Sequence, residues 1–373
     1  MDTDVAVVGL GSVGAMVSWH LARRGVRVVG LEQFGLGHDH GAFTGESRLF
    51  RTGYHESPAY VPMLLAAREQ WLDLEQRSSR TLFHPTGVLS IGLPGTPQMR
   101  NVLESLEQND LPHEVLDAPA LRERYPQHGC LTEEVGVLDR LGGVLRPESA
   151  VTETLRQAGD AGAVLLDREE VVEIEPTERG VRLRTTRTTV SARHAVVASG
   201  VWSGRLVPRL GTALTIKPLV LTWFAPAAPR DFAPERFPGF IRDLDGVHLF
   251  GVPSLDGALV KSGWADNWGS VDAPEQLGRF LSPQELEAVG SDVHRLLPDL
   301  PPQPSRHSVH MDVFTPDRRG VVGRVGPGVT VATGFSGHGF KLAPVFGEIA
   351  ADLATGQRPR YDVEMFDPRR FDA

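Results

Sequence analysis

GLGSVG, residues 9–14, sets glycines at 9, 11 and 14 directly behind DVAVVG, a short valine-rich run that reads as a buried parallel strand. Val13, Met16, Val17 and Leu21 follow at helical spacing, and Gly25 stops that helix. VRVVGLE, residues 26–32, reads as a second strand ending in Glu32. Strand, glycine turn, helix, strand and acid in this order make a βαβ dinucleotide-binding unit. Gly9 permits the tight turn, Gly11 lets a pyrophosphate approach the backbone, and Gly14 lets helix and strand pack closely. The helix start offers free N–H groups and a positive dipole end to phosphates. Glu32 is placed to accept hydrogen bonds from ribose hydroxyls and to repel a 2′-phosphate. The motif alone does not separate NAD from FAD.

Three later segments read as parts of the same unit: loop, helix and strand over 142–166, a strand running into small residues over 194–204, and a strand, glycine-rich loop and apolar helix over 329–356. Residues 81–141 are mixed, with a charged helix near 97–108. Residues 214–314 alternate apolar positions with prolines and suggest an antiparallel sheet. The expected organisation is α/β, with a discontinuous nucleotide domain of residues 1–80, 142–213 and 315–373. A substrate domain of residues 81–141 and 214–314 is inserted into it.

Composition excludes several classes. A net charge of −9 argues against nucleic acid or an anionic membrane as the main partner. One cysteine, Cys130, excludes an intrachain disulfide and a cysteine-rich metal site. The histidines lack metal-ligand spacing. There is no apolar run of spanning length and no cleavable leader pattern, so a cytoplasmic protein is expected.

GAFTGESRLFRTGY, residues 41–54, puts Arg48 and Arg51 three apart in a stretch with no helical face. Read alone, they fit surface ion pairs with Glu46 or Glu56, which contribute little. Lys261, alone in a strand, reads as an exposed edge charge. The glycines around 334–339 fit a tight strand-to-helix turn.

Taken together, GLGSVG, GESRLFRTGYHESPAYVP, ALVKSGW, GFSGHGFKLAP and the terminal DPRRF resemble the family of monomeric sarcosine oxidase and N-methyltryptophan oxidase, FAD-dependent amine oxidases. The resemblance runs in order over nearly the whole chain. It implies FAD, a two-domain fold of the glutathione-reductase-like flavoprotein type, and oxidation of a secondary amino acid to an imine, with O2 as acceptor and H2O2 as product. It implies that Gly9, Gly11, Gly14, Glu32, Gln33, Ser47, Arg48, Val172, Gly200, Trp202, Gly337, His338, Gly339, Phe340 and Lys341 contact the cofactor. It implies that Arg51, Tyr54, Phe250 and Lys341 face the substrate, Arg51 and Lys341 binding its carboxylate, and that Lys261 promotes reaction with oxygen. N–H groups of Phe335–Gly339 are expected at the flavin pyrimidine edge.

The chain also departs from that pattern. His310 stands where the sarcosine oxidase type attaches FAD through cysteine, so non-covalent FAD is expected, a histidyl–flavin bond at His310 being the alternative. Asp312 replaces an aromatic residue, and a charge there would lower the flavin potential if it faces the ring. Phe250, Ala265 and Thr44 replace a tyrosine and two histidines, which predicts a wider, more apolar cavity. A dehydrogenase with another electron acceptor and a flavin-binding protein without turnover are the competing functions. A nicotinamide dehydrogenase is a third.

Overall fold

The computed structural model describes residues 1–265 and 268–372. Five parallel strands form the heart of the first sheet: Val164–Leu166, Val28–Leu31, Asp2–Val8, Thr189–Val197 and Val329–Thr333, in that spatial order. Their sequences are runs of valine, alanine and leucine because helices and other strands cover both faces. An antiparallel hairpin, Val171–Thr177 with Gly180–Thr185, joins the start of Thr189–Val197, and Val321–Gly326 flanks Val329–Thr333.

The glycine motif behaves as its spacing predicts. The helix Ser12–Arg23 starts at Gly11, and Gly25 adopts φ +74° just past its end. Gly14 has no room for a side chain, since a Cβ there would lie 1.8 Å from the Gly9 carbonyl oxygen. The C-terminal helix Gly339–Ala354 packs across Ser12–Arg23, where a Cβ on Gly347 would lie 2.5 Å from that of Met16. Trp19, Trp71, Phe340 and Phe346 fill the space around these helices.

The second sheet has eight strands in the order Arg306–Phe314, Thr215–Phe224, Val260–Trp264, Val247–Val252, Gly239–Leu244, Val88–Gly92, Val135–Asp139 and His113–Leu116. It is antiparallel except where Gly239–Leu244 meets Val88–Gly92. All its strands lie within residues 81–141 and 214–314. A small third sheet joins Arg48–Phe50 and Phe83–His84 to Gly143–Leu145, so residues 143–145 form a strand where loop is expected from the sequence. A further helix, Pro283–Leu296, interrupts the expected all-sheet region; Ser282 and Glu285 form a reciprocal capping box at its start. Among the described residues no helix is long and apolar enough to cross a membrane.

Candidate active site

Two cavities meet between the sheets, one of about 280 Å³ and one of about 180 Å³. Ser12, Ala42, Phe43, Asp312 and Phe335 line both. Together they make one long channel from the glycine turn to the second sheet.

The larger cavity lies over the carboxyl ends of the parallel strands, where open α/β sheets bind ligands. Gly9, Gly11, Glu32, Gln33, Val172, Gly200 and Trp202 line it. Gly14 does not; it sits behind the turn and sets the helix-to-strand distance. No side chain caps the start of Ser12–Arg23 and no acid occupies its first turn, so its N–H groups are available to an anion. Glu32 is 4% exposed. Its carboxylate accepts the Leu10 N–H at 2.8 Å and the Phe34 N–H at 3.0 Å, with His38 Nε2 at 3.4 Å. Burial pushes its pKa up, but His38 and the two N–H groups outweigh this and hold it below the usual carboxylate range. Bare helix N–H groups, a glycine turn closed to side chains at Gly9 and Gly14 and a fixed acid fit the phosphates and ribose of a dinucleotide.

The smaller cavity collects cations. Arg48, Arg51, Lys217, Lys261 and Lys341 line it. Arg48 donates to the backbone carbonyls of Ala42, Thr44 and Ser47, and burial lowers its pKa to about 10. Arg51 is 4% exposed, pairs with Glu56 at 3.3 Å and donates to the His55 ring. The surface-pair reading is therefore right about the partner Glu56 and wrong about exposure. Burial and the Arg51 charge keep His55 neutral, well below the usual histidine value.

Lys341 donates to the His338 carbonyl at 3.3 Å, and burial drops its pKa to about 7. Lys261 is not an edge charge. Its strand is internal to the sheet, and its amine donates to the Gly45 carbonyl at 2.9 Å, the Ser47 carbonyl at 2.7 Å and Ser47 Oγ at 3.2 Å. Burial, with Arg48 nearby, pushes its pKa well down.

Ser47, Phe250, Gly337, His338, Gly339 and Phe340 also line this cavity, as does Ala265. Tyr54 lines neither cavity. It lies fully buried beneath the site, its hydroxyl bonded to His338 Nδ1 at 2.8 Å and its ring 5.2 Å from both Arg51 and Lys341. Of the loop N–H groups expected at the ring, three are committed to protein acceptors: Ser336 to Val313 O, Gly337 to Asp312 Oδ2 and His338 to Phe335 O.

Thr44 and His310 also stand apart from the cavities. Thr44 Oγ1 bonds His310 Nδ1 at 2.9 Å, and Ser308 Oγ lies 2.9 Å from His310 Nε2. Sequence reasoning missed Trp268, Leu49, Leu219 and Leu221, which wall the cavity, because nothing in their spacing marks them.

The FAD dependent oxidoreductase family profile (DAO) matches residues 4–353. Monomeric sarcosine oxidase of Streptomyces avermitilis is 39% identical over 376 residues, covering 99% of this chain and 98% of the relative. N-methyl-L-tryptophan oxidase of Salmonella typhi is 32% identical over 379 residues, covering both chains fully. Among solved structures, a Tyr258Phe mutant of NikD, described as an unusual amino acid oxidase essential for nikkomycin biosynthesis, superposes with a TM-score of 0.86 at 25% identity, covering 98% of this chain and 97% of that one. The L-proline dehydrogenase of P. horikoshii reaches the same TM-score, 0.86, at 21% identity, covering 100% of this chain and 98% of that one; that likeness speaks to fold alone.

Proposed function

The chain belongs to the FAD dependent oxidoreductase family, and from that premise we propose that it oxidises the C–N bond of a secondary amino acid, N-methyl or cyclic, to an imine. Water then hydrolyses the imine, O2 accepts the electrons and H2O2 leaves. The carrying observation is a channel whose far end sets Arg51 and Lys341 among apolar walls, next to a dinucleotide cradle.

FAD, when bound, supplies the two-electron acceptor for a hydride from the substrate carbon. The protein supplies position and charge. The N–H groups of Ser12–Arg23 and Glu32 would hold the nucleotide half, and Arg48 would contact the ring. Arg51 offers a planar fork and Lys341 a point charge to one substrate carboxylate, fixing the amino acid in one pose. Phe250, Leu49, Leu221, Val252 and Trp268 exclude water from the reacting carbon and take the substrate side chain. Lys261 puts positive charge where electrons passed to O2 leave negative charge on oxygen.

The cofactor is held without a covalent bond, since His310 lines neither cavity and both of its ring nitrogens have partners. The division into residues 1–80, 142–213 and 315–373 against 81–141 and 214–314 is part of this reading. So is a cytoplasmic enzyme with no nucleic-acid or membrane partner, in keeping with the charge of −9.

The test begins with the visible spectrum of purified protein before and after acid precipitation, where yellow supernatant is expected. An anaerobic screen of N-methyl and cyclic amino acids should then bleach the flavin, and air should restore it quickly. A colourless folded protein, or a flavin that no amino acid bleaches, refutes the assignment. Slow return of colour in air would favour the dehydrogenase instead.

A further inference from the structure

One wall of the cationic cavity is the face of the second sheet, and strand alternation decides which side chains reach it. Lys217 pairs across strands with Asp312 and Leu219 with His310, while Lys261 pairs with Trp223 on one side and Val252 on the other. Residues two apart share a face, so Lys217, Leu219, Leu221, Lys261 and Asp312 all turn to the cavity. Among the described residues lining it, Asp312 is the one carboxylate against five cations.

Two backbone groups hold the Asp312 carboxyl in place. Oδ1 accepts the Val313 N–H at 2.8 Å, and Oδ2 accepts the Gly337 N–H at 2.9 Å. A carboxylate offers about four lone-pair positions, so each oxygen can still accept another donor. Arg51 and Lys341, assigned to the substrate carboxylate, line the same cavity. An amino acid carries its ammonium one carbon from its carboxylate. A cavity with cations for one group and a fixed, half-buried carboxylate nearby is complementary to both.

Resting on the amino-acid oxidase reading above, we propose that Asp312 receives the substrate ammonium and takes its proton. An N–H bond of the ammonium breaks, its electron pair stays on nitrogen as the lone pair, and the proton forms an O–H bond on Asp312. The amine is then neutral, as loss of hydride from the adjacent carbon requires.

The surroundings suit a proton acceptor. Burial pushes the Asp312 carboxyl up to about 6, against the pull of the two N–H groups, Arg48 and Lys341. Lys217 faces it across the strand pair, His310 shares its face two residues earlier, and His338 lines the cavity from the start of the C-terminal helix. Such a group is ionised at neutral pH and more basic than an ordinary carboxylate.

Two ligands of equal shape separate charge from fit: betaine, with a trimethylammonium group, and 3,3-dimethylbutanoate, with carbon in place of nitrogen. Neither can be oxidised at nitrogen. Flavin absorbance of the holoenzyme, titrated with each between pH 5 and 9, gives the affinity ratio. The wild type should bind betaine at least about tenfold more tightly at pH 7, and the ratio should fall below about pH 6 as Asp312 protonates. Lys341 acts on both ligands alike and drops out of the ratio. Asp312→Asn should bring it to about one at every pH.

With an amino acid that bleaches the wild type, the Asp312→Asn bleaching rate should climb about tenfold per pH unit toward the amine's own pKa, while the wild-type rate levels off above about pH 7. A wild-type ratio near one, or an Asn variant with the wild-type ratio and pH profile, overturns the proposal. If the variant fails to hold flavin, the wild-type ratio and its fall below pH 6 decide alone. Bleaching without a betaine preference removes the ammonium site and leaves the oxidase reading standing. A betaine preference with no bleaching by any amino acid does the reverse.

Discussion

Lys341 carries the most testable charge in the site. Burial lowers its pKa from the usual 10.5 to about 7, so in the free protein it is largely neutral above that pH. A bound carboxylate favours the protonated form. Affinity for 3,3-dimethylbutanoate should therefore fall about tenfold per pH unit above 7 until the raised pKa of the complex is passed. Calorimetry in buffers of different ionisation heat should show proton uptake, and Lys341→Met should abolish the slope. Folding reports the same group with its own sign. Between about pH 7 and 10.5 the unfolded chain binds the proton and the folded chain does not, so this lysine makes stability climb with pH across that window. The melting temperature of wild type relative to Lys341→Met should show it, and a flat difference would contradict the burial described. Lys261 separates the half-reactions: Lys261→Met should slow reoxidation in air about a hundredfold and leave anaerobic bleaching within a few fold, as stopped-flow mixing would reveal.

At the scale of elements, the glycine turn is a matter of clearance. Gly14→Ala forces a Cβ to within 1.8 Å of the Gly9 carbonyl, so Ser12–Arg23 must back away from its strand. Loss of bound FAD and destabilisation of about 3 kcal/mol are expected, read from 450 nm absorbance per chain and urea unfolding. Gly25→Ala, with open space around it but φ +74°, should cost about 1 kcal/mol and keep the flavin. Gly14 was legible in the sequence because the clearance there admits no side chain, and Gly25 because its positive φ after the helix favours glycine. The strand containing Lys261 was legible as a strand, but its place inside the sheet was not, since one partner strand, Thr215–Phe224, lies about forty residues earlier in the chain. For the same reason Asp312 read only as a departure: whether its side chain meets the cavity depends on the register with Thr215–Phe224. Trp268 carried no signal at all. The helix Pro283–Leu296 was readable through its capping box and went unread because the surrounding alternation suggested strand throughout.

The whole molecule is acidic, yet its site gathers five basic side chains. Substrate recognition therefore depends on local arrangement, and those side chains sit where salt screens weakly. The channel runs between the two sheets, so FAD bound there as proposed should stabilise the fold by mass action, about 2.7 kcal/mol at a hundredfold excess over its Kd. Stripped protein should melt several degrees lower, and melting should rise with added FAD. Unchanged melting would mean that the folded chain does not take up FAD. The walls of the ring-side cavity come from positions as far apart as Ser12 and Lys341. A ribosome making this chain must therefore deliver nearly all of it before a flavin has anywhere to dock, so nascent chains stalled before the C-terminal helix should emerge colourless however much FAD the cell contains.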